Sequence, residues 1–90
     1  MILIQISLYP LAHQDISQPL NEFWDILKKN NINYKICPLS TIVWHEDEDW
    51  LNEKIFSAYK SIRKNYKVVM VTTVTTGSYE DMDRLIAFIH

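Results

Sequence analysis

The start of the chain alternates residue types in a way that predicts a β-strand. Over residues 1–9 every even position is aliphatic, whereas the odd positions include polar and aromatic side chains. A period of two residues is typical of a strand with one dry face. We therefore predict a strand over residues 1–9 that ends near Pro10, because proline cannot donate to a β-ladder. The even residues should face helices, and the opposite face should carry Leu3, Gln5, Ser7 and Tyr9.

Two longer segments carry the apolar stripe of an amphipathic helix. In the first, we expect Ser17 as the N-cap, Pro19 in the first turn and an end near residues 28–31. In the second, the acidic run 46–49 leads into a helix that ends near residues 63–65. The stripes consist of Leu20, Phe23, Trp24 and Leu27 in the first helix, and of Leu51, Ile55, Ala58, Tyr59 and Ile62 in the second.

Three further strands complete the pattern. Short strands are predicted over Asn33–Cys37 and Ser40–His45, joined through Pro38 and Leu39 as a tight hairpin. A strand rich in valine and threonine follows over Lys67–Thr76, as expected for a central or half-buried strand. The chain's single glycine, at position 77, ends this strand.

A short third helix is predicted after this glycine. Ser78 and Asp81 resemble a capping arrangement, and the apolar stripe consists of Met82, Leu85, Ile86 and Ile89. The order of elements is β-α-β-β-α-β with an appended helix, which is the ferredoxin-like arrangement of the α+β class. We expect one domain over residues 1–90, with a four-stranded antiparallel sheet, two helices on one face and an open opposite face.

Composition excludes several classes of function. The single cysteine, Cys37, cannot form an internal disulfide, and no Cys or His cluster has metal-ligand spacing, so we expect a cytoplasmic protein without a metal or other cofactor. The net charge of -2 argues against nucleic acid, and no apolar run approaches the length of a membrane span. The apolar first residues lack the basic segment of a signal peptide. Small molecules and protein partners remain.

Three segments resemble the YkoF-like thiamine-binding proteins. They are residues 7–11 (SLYPL), residues 39–43 (LSTIV) after the first helix and hairpin, and residues 68–70 (VVM) in the strand that ends at Gly77. The resemblance implies a ferredoxin-like repeat that binds thiamine or its hydroxymethylpyrimidine moiety without catalysis, in salvage or delivery. Some family members carry two repeats in one chain, so a single repeat is expected to pair with itself, as a homodimer or homotetramer.

The polar side chains of the predicted open face form the candidate ligand site. A hydroxyl-lined patch with aromatic walls suits an aminopyrimidine, although a half-wet or dimer-buried sheet would carry the same residues. We place Thr41 and Val43 on this face and Trp44 on the other. The predicted hydrogen-bonding residues are Gln5, Ser7, Ser40, Thr41 and Thr73, and the predicted stacking residues are Tyr9, Tyr34 and Trp44.

Two other functions remain open. A dimeric α+β barrel enzyme would also place a pocket beside such a sheet, and its general base would have to be His13 or His45. A module that only oligomerises would instead fill the open face with side chains of its partner. Under the favoured hypothesis no residue is catalytic, and Cys37, which precedes Pro38 on a strand, is expected to be a buried, inert thiol.

Overall fold

The computed structural model describes residues 1–11 and 15–88 and has the ferredoxin-like α+β architecture with an additional C-terminal helix. The strands form one antiparallel sheet in the order β2-β3-β1-β4. No helix within the described residues is long and apolar enough to cross a membrane. The predicted helical position Ile89, and His13, lie outside the described residues. The elements are β1 (Ile2–Leu11), α1 (Ser17–Lys29), β2 (Asn33–Cys37), β3 (Ser40–His45), α2 (Glu48–Arg63), β4 (Lys67–Thr76) and α3 (Tyr79–Phe88).

The main core lies between the sheet and the helices α1 and α2. The even residues of β1 face this core, as the alternation predicts, and the stripes of both helices pack against them. Each fully buried Leu, Ile or Phe side chain contributes about 1.5–3 kcal/mol through its removal from water, so this layer is the principal stabilising contact of the fold. Its buried residues include Ile2, Ile4, Ile6 and Leu8 of β1, Phe23 and Leu27 of α1, and Leu51, Ile55, Ala58 and Ile62 of α2.

The start of α1 differs from the prediction. Ser17 is the first helical residue, and the N-cap position is Ile16, whose side chain forms no capping hydrogen bond. Asp15 supports the helix start instead, because its Oδ1 accepts hydrogen bonds from the backbone N–H of Ser17 at 2.9 Å and from the Ser17 hydroxyl. The end of the helix follows the prediction, since Asn31 adopts a left-handed conformation with φ 56°.

Helix α3 packs on the face of the sheet opposite α1 and α2. Met82 forms a second, smaller core with Leu3 of β1 and Ile42 of β3, and all three are at most 6% exposed. Half-buried side chains surround this contact, namely Met1, Cys37, Trp44 and Ile86. The face that topology alone leaves open is therefore covered by α3 at the Leu3 end of the sheet.

The connection from β4 to α3 is fixed by backbone contacts. The Gly77 N–H donates to the Met1 carbonyl at 3.1 Å, and the N-terminal ammonium of Met1 donates to the Gly77 carbonyl at 3.2 Å. At the helix start, Ser78 Oγ accepts from the Asp81 N–H, and Asp81 Oδ2 accepts from the Ser78 N–H. This reciprocal pair confirms the predicted capping arrangement.

Strand β4 is the least covered element of the sheet. Its ten residues are all exposed or half-buried, and only Val68 and Met70 pack against the main core. Val69 and Val71 on one face and Val74 on the other are between 44% and 50% exposed. Strand β4 is therefore an edge strand and not a central one, and it is half-buried only at Val68 and Met70.

Candidate functional site

Strand register divides the predicted site residues between two faces of the sheet. Ile6 pairs with Thr41 and Ile4 pairs with Val43, so both β3 residues lie on the face that packs on α1 and α2. The prediction that placed Thr41 and Val43 on the open face is therefore wrong. Tyr34 pairs with Val43 and lies on the same helix-covered face, where it packs against the main core.

The opposite face carries the other predicted site residues. Gln5, Ser7 and Tyr9 lie there, and Thr73 is paired with Gln5 across β4. Trp44 pairs with Leu3 and packs beside α3, so its predicted placement on the helix-covered face is also wrong. On this face the structure does not gather these side chains into one pocket.

Two of these polar side chains bond to the hairpin between β2 and β3. Gln5 Nε2 donates to Ser40 Oγ, and Ser7 Oγ donates to the Leu39 carbonyl, each at 3.4 Å. Exposed hydrogen bonds of this length contribute little net stability. They link β1 to the turn at Leu39, and the other side of that turn borders the cavity described next.

A groove of about 660 Å³ opens at the end of the sheet where β1 leaves the main core. This volume lies within the roughly 300–1,000 Å³ of small-molecule sites. Strand β1 contributes Ile6, Leu8, Tyr9 and Pro10, the first half of α1 and its preceding residue contribute Ile16, Leu20, Phe23 and Trp24, and the hairpin contributes residues 36–41. The groove therefore joins three segments that are distant in the sequence.

The rim of the groove exposes large apolar side chains. Ile16 is 55% exposed, Ile36 is 50% exposed and Leu39 at the hairpin tip is 88% exposed. A concentration of exposed apolar surface around a concave opening is typical of a binding site. The groove thus offers an apolar surface that a bound molecule can remove from water.

Thr41 is the buried polar group of the groove, with 5% of the residue exposed. Its Oγ1 accepts a hydrogen bond of 2.9 Å from the indole N–H of Trp24. A hydroxyl that accepts a hydrogen bond also has one proton to donate. The bond to Thr41 holds the Trp24 indole as a flat wall of the groove.

The lining of the groove contains no charged residue and no histidine among the residues that the structure describes. His45, one candidate base, lies at the other end of β3, where its Nδ1 accepts from the Asp47 N–H at 2.9 Å. Its ring also packs against the Trp50 ring at a tilt of 30°, with a centroid distance of 4.3 Å. His45 therefore supports the start of α2. Within the described chain, no group of three or more acidic, Cys or His residues could hold a metal.

Sequence reasoning found only part of this groove. Tyr9, Ser40 and Thr41 line it, whereas the predicted residues Gln5, Ser7, Tyr34, Trp44 and Thr73 do not. The missed wall is formed by Leu20, Phe23 and Trp24, whose helical spacing predicts a core stripe. Two features of the sequence are consistent with this wall. A Trp in an apolar stripe needs a hydrogen-bond partner for its indole N–H. The apolar residues Pro38 and Leu39 occupy a turn, where polar residues are more usual.

Solved structures share this fold at low sequence identity. Protein SP2199 from Streptococcus pneumoniae is 15% identical, with a TM-score of 0.83 over 96% of this chain and 97% of that one. A domain of unknown function, DUF77, from Bacillus cereus is 12% identical, with a TM-score of 0.72 over 87% and 77%. The "putative thiamine biosynthesis/salvage protein" TM0486 from Thermotoga maritima is 11% identical, with a TM-score of 0.77 over 94% and 97%. No protein-family model and no curated protein matches the sequence.

Proposed function

We propose that this chain is a non-catalytic binding protein whose groove takes the hydroxymethylpyrimidine moiety, either free or as part of thiamine. The observation that carries the proposal is the Trp24–Thr41 pair in an apolar groove without charged residues among its described lining. The pair supplies a flat aromatic wall and one buried hydroxyl proton beside it. The role would be salvage or delivery of thiamine or its precursor.

The chemistry of an aminopyrimidine matches this lining. Its ring is flat, uncharged at neutral pH and rich in nitrogen atoms that accept hydrogen bonds. Burial of the ring against Trp24 and Phe23 would supply most of the affinity. Donation from Thr41 to a ring nitrogen would supply selectivity, because a ligand without that acceptor leaves a buried hydroxyl unpaired. Ser40 and Tyr9 lie at the opening and can bond the exocyclic groups.

The uncharged lining also limits which part of thiamine enters. A phosphate group is favoured by Arg or Lys donors, and a buried thiazolium cation is favoured by a nearby carboxylate. The described lining has neither Arg, Lys nor a carboxylate. Thiamine would therefore bind through its pyrimidine half, with the thiazolium near the rim, and phosphorylation of thiamine should not improve binding.

A binding role is favoured over catalysis by the same lining. General acid–base chemistry needs a titratable group within hydrogen-bond reach of the substrate. Among the described residues of the groove, Tyr9 and Cys37 are the only titratable side chains, and neither has a neighbouring base in the lining. The fold shared with a protein named for thiamine salvage agrees with a binding role in that pathway.

Calorimetric titration with hydroxymethylpyrimidine, thiamine, thiamine phosphate and the isolated thiazole tests the proposal. We expect heat of binding from hydroxymethylpyrimidine and from thiamine and no heat from the thiazole. Thiamine phosphate should bind no more tightly than thiamine. Thr41→Val keeps the shape of the side chain and should weaken pyrimidine binding by about tenfold. Ile36→Trp, which fills the groove from its half-exposed rim, should abolish binding while the far-ultraviolet spectrum stays unchanged.

Thr73→Val is the matched control, because Thr73 is an exposed threonine on the opposite face of the sheet. It should leave pyrimidine binding unchanged. Absence of heat from both pyrimidine and thiamine with folded protein would overturn the proposal. A loss of binding in Thr73→Val that equals the loss in Thr41→Val would place the site on the other face and would overturn it as well.

A further inference from the structure

The outer side of helix α2 carries an ordered cluster of aromatic and basic side chains. The rings of Phe56 and Tyr59 stack on each other, with centroids 6.0 Å apart and an interplanar angle of 27°. The Lys60 ammonium lies 4.8 Å from the centroid of the Phe56 ring, and the Arg63 guanidinium lies 5.7 Å from that of the Tyr59 ring. We call these four residues the α2 ridge.

The α2 ridge faces away from the core and from the groove. Phe56 is 51% exposed, and both cations of the ridge are exposed. The opposite side of the helix carries Ala58 and Ile62, which are buried in the main core. None of the four ridge residues lines the groove, so an inference from this surface does not rest on the proposed binding of a pyrimidine.

The cations of the ridge lack a partner of opposite charge. Neither Lys60 nor Arg63 has a carboxylate within ion-pair distance among the described residues. The sequence from residue 54 to residue 79 contains five Lys or Arg residues and no Asp or Glu, although the net charge of the whole chain is -2. The second half of α2 is therefore a local region of positive charge on an otherwise acidic protein.

Stabilisation of the helix end explains the cations of the ridge but not its rings. Lys60 and Arg63 lie in the last turn of α2, where the helix dipole favours positive charge. Lys28 and Lys29 have the same position in α1, and within the described chain neither lies over an aromatic ring. The rings of the α2 ridge hold its cations in place before a partner arrives, which reduces the entropy lost on binding.

We propose that the α2 ridge binds an acidic segment of a different protein, with an apolar side chain against Phe56 and carboxylates on Lys60 and Arg63. These three residues follow one another at intervals of four and three positions, so their Cβ atoms lie about 5–6 Å apart on one side of the helix. Alternate side chains of an extended chain also share one side, at intervals of about 6.6 Å. An extended segment of the form apolar-x-Glu-x-Glu, where x is any polar residue, therefore matches the ridge.

The first half of α2 favours a short protein segment over a membrane or a nucleic acid. Asp49 and Glu53 precede Phe56 by seven and three positions, so they lie on the same side of the helix as the ridge. This side is acidic in its first half and basic in its second. A flat anionic membrane or a long polyanion would meet both halves and would be repelled by the first. A short acidic segment meets the second half alone.

Titration of the isotope-labelled chain with a capped peptide of sequence Leu-Ser-Glu-Ser-Glu, followed by backbone amide NMR shifts, tests the proposal. We expect saturable shifts in the second half of α2 and a dissociation constant of about 1 mM, as suits a small contact. A peptide with glutamine in place of both glutamates keeps the shape and loses the charge, so it should bind at least about tenfold more weakly. Added salt should also weaken binding of the acidic peptide.

Matched variants separate binding from stabilisation of a helix end. Lys60→Gln combined with Arg63→Gln should raise the dissociation constant of the acidic peptide at least about tenfold. Lys28→Gln combined with Lys29→Gln removes the same charge from the last turn of α1 and should change it by less than about twofold. Phe56→Ser, at an exposed position, should weaken binding about threefold, because the ring holds the Lys60 ammonium.

Any of four outcomes would overturn the proposal. The first three are no shifts in α2 with the acidic peptide at about 10 mM, equal binding of the glutamine peptide, and an equal loss of binding in the α1 variant. The fourth is sedimentation of the wild-type chain with phosphatidylserine vesicles that is lost in the variant with both Lys60→Gln and Arg63→Gln, which would identify a membrane as the partner. Pyrimidine titrations probe other residues, so failure of one proposal is distinguishable from failure of the other.

Discussion

The indole N–H of Trp24 donates a 2.9 Å hydrogen bond to Oγ1 of Thr41, and this bond joins α1 to β3 at the wall of the groove. The same two residues therefore serve packing and the proposed binding. Any substitution in this pair will change both stability and ligand affinity, so the two effects have to be measured separately.

A double-mutant cycle on this pair measures its structural part. Thr41→Val leaves the Trp24 N–H without its partner and should lower the free energy of unfolding by about 1–3 kcal/mol. Trp24→Phe removes the donor together with part of the apolar wall. Because each single change already breaks the bond, the double variant should lose less than the sum, with a coupling of about 0.5–1.5 kcal/mol. Urea unfolding followed by circular dichroism checks this, and additive losses would contradict it.

Asp47 is predicted to stabilise the start of α2. Its side chain accepts a 3.0 Å hydrogen bond from the Trp50 N–H, which otherwise has no partner in the first turn. Asp47→Ala should lower the free energy of unfolding by about 0.5–2 kcal/mol. The neighbouring carboxylate Glu46 is exposed and lies outside the helix, so Glu46→Ala should change stability by less than about 0.5 kcal/mol. Equal losses in the two variants would count against the capping role.

Tyr66 should make stability sensitive to alkaline pH. A hydrogen bond to Glu22, with smaller contributions from desolvation and from the charge of Glu22, raises the pKa of Tyr66 above its ordinary value of 10.0. The folded chain therefore holds this proton more tightly than the unfolded chain. The stabilising contribution is complete below pH 10 and is lost as the pH rises through the raised pKa.

Chemical unfolding of wild type and Tyr66→Phe across alkaline pH measures this contribution. The difference in stability between the two proteins should shrink as the pH rises above 10. Tyr79→Phe, at an exposed tyrosine of α3, is the control for general effects of removing a phenol. A wild-type stability advantage that stays constant across this range would contradict the prediction.

Met82 should anchor α3 to the sheet. It is 2% exposed between Leu3 and Ile42, so Met82→Ala should cost about 2–5 kcal/mol in the stability of the docked helix. Hydrogen exchange of the α3 amides should accelerate in this variant. Leu85→Ala, on the same helix but 41% exposed, should leave that exchange close to wild type. Unchanged protection in Met82→Ala would show that α3 is held by its first turn instead.

The fold could be predicted because apolar and polar residues alternate regularly along β1. The faces of β3 could not be predicted, because its residues do not alternate in this way. Positions 42, 43 and 44 of β3 are all apolar, so alternation could not determine which of them faces the helices. The reason is that β3 is covered on both sides, by α1 and α2 on one and by α3 on the other. The third helix itself was predicted, but its position over Leu3 and Ile42 depends on tertiary contacts.

The groove was harder to predict for a related reason. An apolar helical stripe such as Leu20, Phe23 and Trp24 predicts that these side chains are buried. The pattern is the same whether other protein side chains or a ligand bury them. Thr41 was predicted as a site residue because it was expected on the open face, and that placement is wrong, but both Ser40 and Thr41 line the groove. Their convergence with α1 comes from strand pairing and helix packing, which no local pattern in the sequence records.

The position of α3 gives the two ends of the molecule different thicknesses. At Leu3 and Ile42 the sheet lies between α3 on one face and α1 and α2 on the other, which makes three layers. At Ile6 and Leu8, beside the groove, only the sheet and the helices α1 and α2 are present, which makes two. Opening fluctuations of small amplitude should therefore concentrate at the thin end. A molecule bound in the groove would extend the hydrophobic core at this end. It would reduce opening fluctuations at the two-layered end and leave those at the three-layered end unchanged.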